Sequence, residues 1–165
     1  MTQLAYSRVT NTVSSTKQLA STLAAYVSPG DVIMLTGNLG AGKTHFVKGL
    51  AEGLGINIDI TSPTFSIYTP YQSGRIPLLH FDLYRLDSPE QLEDIDFYGA
   101  VEDFGVSCIE WGEKCPNEMP QNYLEIVIDV IDAESREITA IARGRESRNL
   151  LQVWAKDTKS HLARV

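Results

Sequence analysis

The sequence predicts an α/β fold whose sheet contains both parallel and antiparallel strands. The apolar run Asp31–Thr36 ends at a glycine-rich loop and is followed by a helical segment, an order typical of a buried parallel strand. Nearer the C-terminus, Tyr123–Ile131 and Arg136–Arg143 alternate polar and apolar residues around the turn Asp132–Ser135, which predicts an antiparallel hairpin. No internal repeat or linker divides the chain, so we expect one domain over residues 1–165.

The other elements follow from apolar periodicity and from turn residues. Ser14 or Ser15 is expected to cap the first helix, which runs through about Tyr26. Ser88 is expected to cap a later helix, with Pro89 at its first position and Gln91 completing a capping box. A helix is predicted from Lys43 to about Leu54 and is closed by Gly53 and Gly55. An extended segment over Phe65–Tyr71 is predicted to turn at Ser73-Gly74 into a strand over Ile76–Asp82. The remaining predicted elements are strands over Leu4–Val9 and Val106–Trp111 and a terminal helix over Leu150–Ala163.

Composition and charge narrow the class of protein. Hydrophobic residues make up 43% of the chain, which is enough for a core, and the net charge of −7 disfavours non-specific binding to nucleic acid. No apolar run is long enough to span a membrane, so no membrane partner is expected. The N-terminus does not resemble a secretory signal, and Cys108 and Cys115 do not form a disulfide framework, so we expect a cytoplasmic protein.

Residues 37–44 read G-N-L-G-A-G-K-T and match the phosphate-binding pattern G-x-x-x-x-G-K-[ST]. In such a loop, glycines let backbone N–H groups surround phosphate oxygens, Lys43 reaches the β- and γ-phosphates, and the Thr44 hydroxyl holds Mg²⁺. Since the motif lies between an apolar strand and a helix, the sequence predicts a P-loop NTPase-like three-layer fold. The candidate ATP ligands in and beside the loop are Gly37, Asn38, Leu39, Gly40, Ala41, Gly42, Lys43, Thr44 and His45.

Two acids are candidates for the catalytic centre because each ends a predicted strand, where ligands gather in open parallel sheets. Glu110 is the candidate for facing Mg²⁺, and the alternative is a glutamate that merely ends its strand. Asp82 is the candidate for orienting a water, and the alternative is a carboxylate that caps a turn or pairs with Arg85. His80 is expected to be a packed or hydrogen-bonded residue rather than a catalyst.

Three other features have both a functional and a structural interpretation. Thr64, in T-S-P-T-F, could sense a γ-phosphate as switch loops do, or could form local hydroxyl bonds in a turn. The segment R-G-R-E-S-R at 143–148 could present an arginine to phosphate, but an exposed basic turn is the preferred interpretation. Cys108 is expected to be a small buried hydrophobic residue.

Four motifs occur together in an order that resembles the TsaE family, also called YjeE. They are G-N-L-G-A-G-K-T, S-P-T-F-S-I, H-F-D-L-Y-R-L and I-E-W-G-E, and the resemblance covers about residues 10–140. It implies a P-loop ATPase with a mixed sheet that functions in making threonylcarbamoyladenosine in tRNA. It further implies that the protein acts on a complex of TsaD and TsaB, so that tRNA is met only indirectly, and that ATP hydrolysis to ADP supports turnover of that complex.

The same resemblance implies roles for individual residues. Lys43 and Thr44 match the positions for phosphate and Mg²⁺, and Glu110 matches a second Mg²⁺ position. Asp82 and Thr64 match positions near the γ-phosphate, with Lys43, Asp82 and Glu110 as the catalytic set. Asn11 is placed near the nucleotide base.

Two other functions share this loop. A small-molecule or protein kinase would need an acceptor pocket and a closing lid, for which Arg143, Arg145 and Arg148 are the lid-like cluster. A nucleotide-binding regulator would use the loop without relevant hydrolysis. Transfer of labelled phosphate to a product other than water would distinguish the kinase from the ATPase.

Overall fold

The computed structural model of the chain describes residues 3–61 and 67–162. The strands in these residues are β1 (Ala5–Thr10), β2 (Val32–Thr36), β3 (Tyr68–Tyr71), β4 (Leu78–Asp82), β5 (Val106–Glu110), β6 (Tyr123–Val130) and β7 (Arg136–Arg143). The α-helices are α1 (Val13–Leu23), α2 (Lys43–Gly53), α3 (Gln91–Asp94), α4 (Phe97–Asp103) and α5 (Arg145–Leu162), and short 3-10 turns occur at Gly112–Lys114 and Pro116–Glu118. Thr64 and the rest of its polar loop, residues 62–66, lie outside the described residues.

The described strands form one mixed sheet in the order β1-β7-β6-β2-β5-β4-β3. The four central strands β6, β2, β5 and β4 run parallel, whereas β7, β1 and β3 join the sheet antiparallel. The predicted parallel strand before the loop and the predicted hairpin of β6 and β7 are both confirmed. The predicted pairing of β3 with β4 is confirmed as well, although β4 begins at Leu78 because the preceding Pro77 has no N–H to donate.

Helices cover both faces of the sheet, which confirms the three-layer prediction. One face packs against α1, α2 and α5, and its core includes Leu23, Phe46 and Trp154. The other face packs against α3 and α4 through Leu92 and Phe97. Cys108 is buried in the first core, as predicted. No helix within the described residues is both long and apolar enough to cross a membrane.

The predicted ends of α1 are wrong. Thr12 caps the helix: its Oγ1 accepts the N–H of Ser15, and the Oγ of Ser15 accepts the N–H of Thr12 in return. Ser15 is therefore the partner of the cap, and Ser14 lies within the helix. The helix ends at Leu23 rather than Tyr26, and the Arg75 guanidinium donates to the carbonyls of Ala24 and Val27 just beyond it.

Two predicted boundaries near the second core also need correction. The short helix α3 begins at Gln91, because the chain forms a turn at Pro89. Half of the predicted capping box exists there, since Gln91 Oε1 accepts the N–H of Ser88 at 3.4 Å. The strand β5 ends at Glu110 rather than Trp111, because Trp111 adopts a left-handed conformation with φ 64° and turns the chain away from the sheet.

The terminal helix α5 begins at Arg145, well before the predicted Leu150. Gly144, with φ 113°, separates it from β7, and Asn122 Oδ1 accepts the N–H of Ser147 in the first turn of the helix. A cap supplied by a residue outside the segment leaves no local sequence signal. The residues predicted to form an exposed basic turn therefore include the first turn of α5.

Candidate nucleotide-binding site

The parallel strands bring the predicted loop and both predicted acids to one edge of the sheet. The loop follows β2, Asp82 ends β4 and Glu110 ends β5. Glu110 is aligned with Leu35 on one side and with Asp82 on the other. Adjacent aligned residues point to the same face, so both carboxylates lie on the face that carries α2. Residues far apart in sequence thus meet because their strands run in the same direction.

The loop of residues 37–44, called the phosphate-binding loop after the sequence pattern that it matches, has a backbone that requires glycine at two of its positions. A Cβ at Gly37 would lie 2.8 Å from the carbonyl oxygen of Ile128 in β6. Gly42 has φ 110° and starts α2 without a side-chain cap from any described residue. The uncapped N–H groups of the first turn and the helix dipole favour an anion at this point.

Lys43 is buried and folded back along the loop. Its Nζ donates to the carbonyl of Gly37 at 2.7 Å and lies 3.7 Å from the centroid of the Trp111 ring. Burial lowers the pKa of Lys43, and the carboxylates of Glu110, Glu113 and Asp82 oppose this shift. A phosphate group entering the loop would supply a stronger anionic partner for the ammonium group.

Asp82 caps a turn at the end of β4, as its structural alternative predicted. Its Oδ1 accepts the N–H of Tyr84 at 3.0 Å. Asp82 is aligned with Glu110 at the same edge of the sheet, and its carboxylate is among the charges that oppose the lowered pKa of Lys43. Its proposed role towards water stays a prediction.

Glu110 and His80 form a buried pair behind the loop. The Glu110 side chain is 4% exposed and the His80 side chain is 0% exposed, and His80 Nε2 lies 2.5 Å from Glu110 Oε2. His80 is therefore hydrogen-bonded, as predicted. The partner of that hydrogen bond, the candidate metal ligand, was not part of the prediction.

The remaining predicted ligands lie around the same loop. Thr44 is half-buried in the first turn of α2, next to the exposed His45. Asn38 and Leu39 are exposed at the tip of the loop, where Leu39 is 74% exposed. Asn11 is exposed in the connection that follows β1. These positions are compatible with contacts to a nucleotide, and the contacts themselves remain predictions.

Arg136 is a residue of the site that the sequence did not indicate. It starts β7, and its Nε donates to the carbonyl of Ala41 in the loop at 2.7 Å. Its Nη1 donates to the carbonyls of Asp132 and Ser135, so the guanidinium joins the hairpin turn to the loop. Thr10 is aligned with Arg136, which places the nearby Asn11 at the same edge of the sheet.

The lid-like cluster named for the kinase alternative lies elsewhere. Arg143 is aligned with Tyr123, at the end of the sheet opposite the loop, and Arg145 and Arg148 follow it in α5. Arg143 donates to Glu125 Oε2 through both Nε and Nη2. The cluster therefore lies at the end of the sheet away from the loop.

The chemistry of the site fits Mg²⁺ bound together with a nucleotide. Within residues 3–61 and 67–162, no three His, Cys, Asp or Glu side chains converge into a metal-binding group. Mg²⁺ in nucleotide sites takes few protein ligands and completes its coordination with phosphate oxygens and water. The Thr44 hydroxyl and the Glu110 carboxylate are hard oxygen donors of the required kind. The site thus fits a metal that arrives with phosphates.

Known proteins resemble this chain over most of its length. A family model described as "Threonylcarbamoyl adenosine biosynthesis protein TsaE" matches residues 10–138. The tRNA threonylcarbamoyladenosine biosynthesis protein TsaE of Bacillus subtilis is 42% identical over 137 residues, which are 83% of this chain and 85% of the relative. The protein of the same name from Treponema pallidum is 43% identical over 131 residues, covering 79% of this chain and 96% of the relative.

A solved structure extends this likeness to the fold. The crystal structure of YdiB from Bacillus subtilis has a TM-score of 0.80 and a sequence identity of 35% to this chain. The match covers 96% of this chain and 99% of the other chain. The mixed sheet with helices on both faces is therefore shared with a solved protein.

Proposed function

The chain belongs to the TsaE family of threonylcarbamoyl adenosine biosynthesis proteins, and on that premise we propose that it binds and hydrolyses ATP with Mg²⁺ to support threonylcarbamoyladenosine formation in tRNA. The observation that carries this proposal is that Asp82 and Glu110 end adjacent aligned strands at the edge of the sheet where the loop with Lys43 follows β2. A phosphate-binding lysine and two carboxylates at one edge are what Mg²⁺-dependent phosphoryl transfer to water requires.

The residues of the loop would bind and orient the phosphates. The backbone N–H groups from Gly37 to Thr44 and the positive end of α2 would hold the phosphate oxygens. Lys43 would leave the carbonyl of Gly37 and the ring of Trp111 to contact the β- and γ-phosphates. Hydroxyl and carboxylate oxygens of Thr44 and Glu110 would hold Mg²⁺, which, when bound, neutralises charge that develops on the phosphates.

Asp82 would act on the attacking water. Its Oδ1 is held by the N–H of Tyr84, which fixes the carboxylate at the end of β4. A fixed carboxylate next to the γ-phosphate can accept a hydrogen bond from water and orient it for in-line attack. Thr64 enters this proposal as a γ-phosphate contact through the family motif alone.

We further propose that the energy of ATP serves a partner complex, a TsaD–TsaB-like pair in the cytoplasm, and not a phosphate acceptor. The site supports an ATPase because the cluster that a kinase would use as its lid lies at the opposite end of the sheet. The γ-phosphate of ATP can change partner binding only if ATP binds two conformations of this protein with different affinity. A coupling free energy of about 1–3 kcal/mol between ATP binding and partner binding would change the affinity for the partner by about 5–150-fold.

Reconstitution of tRNA modification tests the function. Purified partner complex, tRNA, ATP and the modification precursors are combined without this protein, with it, and with its Lys43→Ala variant. We expect sustained formation of threonylcarbamoyladenosine only with the parent chain. Equal product in all three mixtures would refute the proposed role. If the γ-phosphate of ATP is labelled, transfer of the label by this protein to a product other than inorganic phosphate would favour the kinase.

A binding experiment tests the coupling to the partner. The partner complex is titrated with this protein loaded with ADP or with a non-hydrolysable ATP analogue, at the same Mg²⁺ concentration. We expect tighter binding of the ATP-like state. Equal affinities would reject nucleotide-controlled docking. If the two affinities differ by some factor, the partner complex must change the preference of this protein for the ATP analogue over ADP by the same factor.

A further inference from the structure

We propose that His80 is a positioning residue for the metal site: it holds the Glu110 carboxylate in the orientation that receives Mg²⁺. This inference rests on the proposed function, because it concerns the same nucleotide and metal. Its basis is the hydrogen bond from His80 Nε2 to Glu110 Oε2, 2.5 Å long and almost completely buried. A carboxylate can only accept a hydrogen bond, so the proton lies on Nε2 of the imidazole when the carboxylate is ionised.

The position of His80 in its strand has no explanation in packing alone. In β4, Leu78, His80 and Asp82 alternate onto the face that carries α2, and Leu78 is part of the apolar core there. An aliphatic side chain at position 80 would continue that core. The sequence instead places an imidazole there, and among the described residues its Nδ1 has no hydrogen-bond partner.

A buried polar group with one unmade hydrogen bond destabilises a fold unless another requirement keeps it. Here the hydrogen bond that His80 does make goes to the candidate metal ligand. Hydrogen bonding through Oε2 restricts rotation of the Glu110 carboxyl group and leaves Oε1 for a second partner. Groups that orient a metal ligand in this way typically change metal affinity by about 10–100-fold when they are removed.

The test measures Mg²⁺ binding without turnover. Isothermal titration gives the affinity of the full chain for ADP in EDTA and over a series of Mg²⁺ concentrations, for the parent, His80→Leu and His80→Gln. We expect His80→Leu to leave ADP affinity in EDTA unchanged and to raise the Mg²⁺ midpoint by about 10–100-fold. His80→Gln retains an N–H donor of similar reach and should recover most of the loss.

Ser107→Ala is the matched control. Ser107 is also buried in the sheet, its Oγ also lacks a partner among the described residues, and it points to the opposite face of β5. This control should keep the parental Mg²⁺ midpoint. In the Glu110→Gln background, His80→Leu should add no further shift, because the two residues act through the same hydrogen bond.

Several results would overturn the inference. A folded His80→Leu with the parental midpoint would do so, and so would a His80→Gln variant as impaired as His80→Leu. If His80→Leu does not fold, His80→Asn replaces it: the shorter amide cannot reach Glu110, so equal midpoints for Asn and Gln would reject the role. If the parent chain binds no ADP, the proposed function itself is contradicted. If the parent binds ADP in a Mg²⁺-dependent way and the His80 variants keep its midpoint, only the role of His80 is rejected.

Discussion

The Nε of Arg136 donates a hydrogen bond to the carbonyl of Ala41, which joins the last hairpin of the sheet to the phosphate-binding loop. Nη1 of the same guanidinium donates hydrogen bonds to the carbonyls of Asp132 and Ser135 in the turn before β7. The loop is thus supported from a strand that is remote in sequence. Its backbone conformation should depend on this arginine.

We predict that Arg136→Ala weakens ADP binding. A hydrogen bond to a charged group contributes about 1.5–3 kcal/mol, so loss of the contact with Ala41 should weaken binding by about tenfold or more. Isothermal titration with Mg²⁺·ADP measures the effect. Arg143→Ala is the control, because Arg143 lies at the opposite end of β7 and donates to Glu125 rather than to the loop. Parental affinity in Arg136→Ala would contradict this support.

The contact between Lys43 and Trp111 predicts an optical signal. The Lys43 ammonium lies 3.7 Å from the centroid of the indole, and it should move away when phosphates enter the loop. The chain has two tryptophans, so Trp154→Phe leaves Trp111 as the reporter. We expect ADP to change the fluorescence emission of this variant.

Lys43→Ala should weaken ADP binding strongly without unfolding the protein. Near-normal ATPase activity in a folded Lys43→Ala variant would contradict the proposed site.

Glu110→Gln and Asp82→Asn should impair hydrolysis more than nucleotide binding. Each amide keeps the shape of the side chain and removes the charge that acts on Mg²⁺ or water, which should lower the hydrolysis rate by about 100-fold or more. Single-turnover hydrolysis in the presence of the partner complex measures the rate, and titration with ADP measures binding. Glu113→Gln is the control, since this exposed acid also acts on Lys43 but ends no strand. Parental rates in both variants would exclude the two acids from the reaction centre.

The extent to which the site was predictable depends on how its residues are brought together. The loop is a run of consecutive residues, and Asp82 and Glu110 are the last residues of apolar strands. The geometry of a parallel sheet is therefore sufficient to predict that they converge. Arg136 and the pairing of His80 with Glu110 depend on contacts between distant strands. No local pattern marks either of them. Thr64 lies outside the described residues, and its role stays a prediction.

The same distinction applies to the fold. The strands of the sheet were predicted well because alternation and apolar runs report burial directly. Helix ends were predicted poorly where a distant residue supplies the cap or satisfies the last carbonyls, as Asn122 does for α5 and Arg75 does beyond α1. The end of β5 was misplaced because the left-handed Trp111 is an uncommon conformation for a bulky residue.

His45 should titrate below the ordinary histidine range. The side chain is exposed but partly desolvated by the protein around it, which lowers its pKa first, and the positive charges of Lys48, Lys17 and Arg136 lower it further. The folded protein therefore resists a proton that the unfolded chain accepts near pH 6.5, so this histidine reduces stability as the pH falls below about 6.5 and has no such effect above it. NMR titration measures the pKa directly. Lys48→Gln should raise it, and a pKa at or above 6.5 in the parent would contradict the arrangement.

The contact between α1 and α2 predicts that Gly49 cannot be replaced without loss of stability. A Cβ at this position would lie 2.2 Å from the carbonyl oxygen of Lys17 and 2.7 Å from its Cα, so the backbone of α1 would have to move. Alanine favours a helix over glycine by about 1 kcal/mol, which opposes the loss. Overpacking of this kind typically destabilises by about 1–3 kcal/mol, and contact with rigid backbone places Gly49→Ala at the upper end of that range.

Thermal unfolding of Gly49→Ala measures this effect. For a chain of this size, a loss of 1 kcal/mol corresponds to a decrease in Tm of roughly 2–4 °C. Gln18→Ala, on the exposed side of α1, is the control and should change Tm little. Because α2 begins at the phosphate-binding loop, displacement of the helix should also weaken ADP binding. A Gly49→Ala variant with a raised Tm would show that helix propensity outweighs the contact, and that α1 can move away without loss of stability.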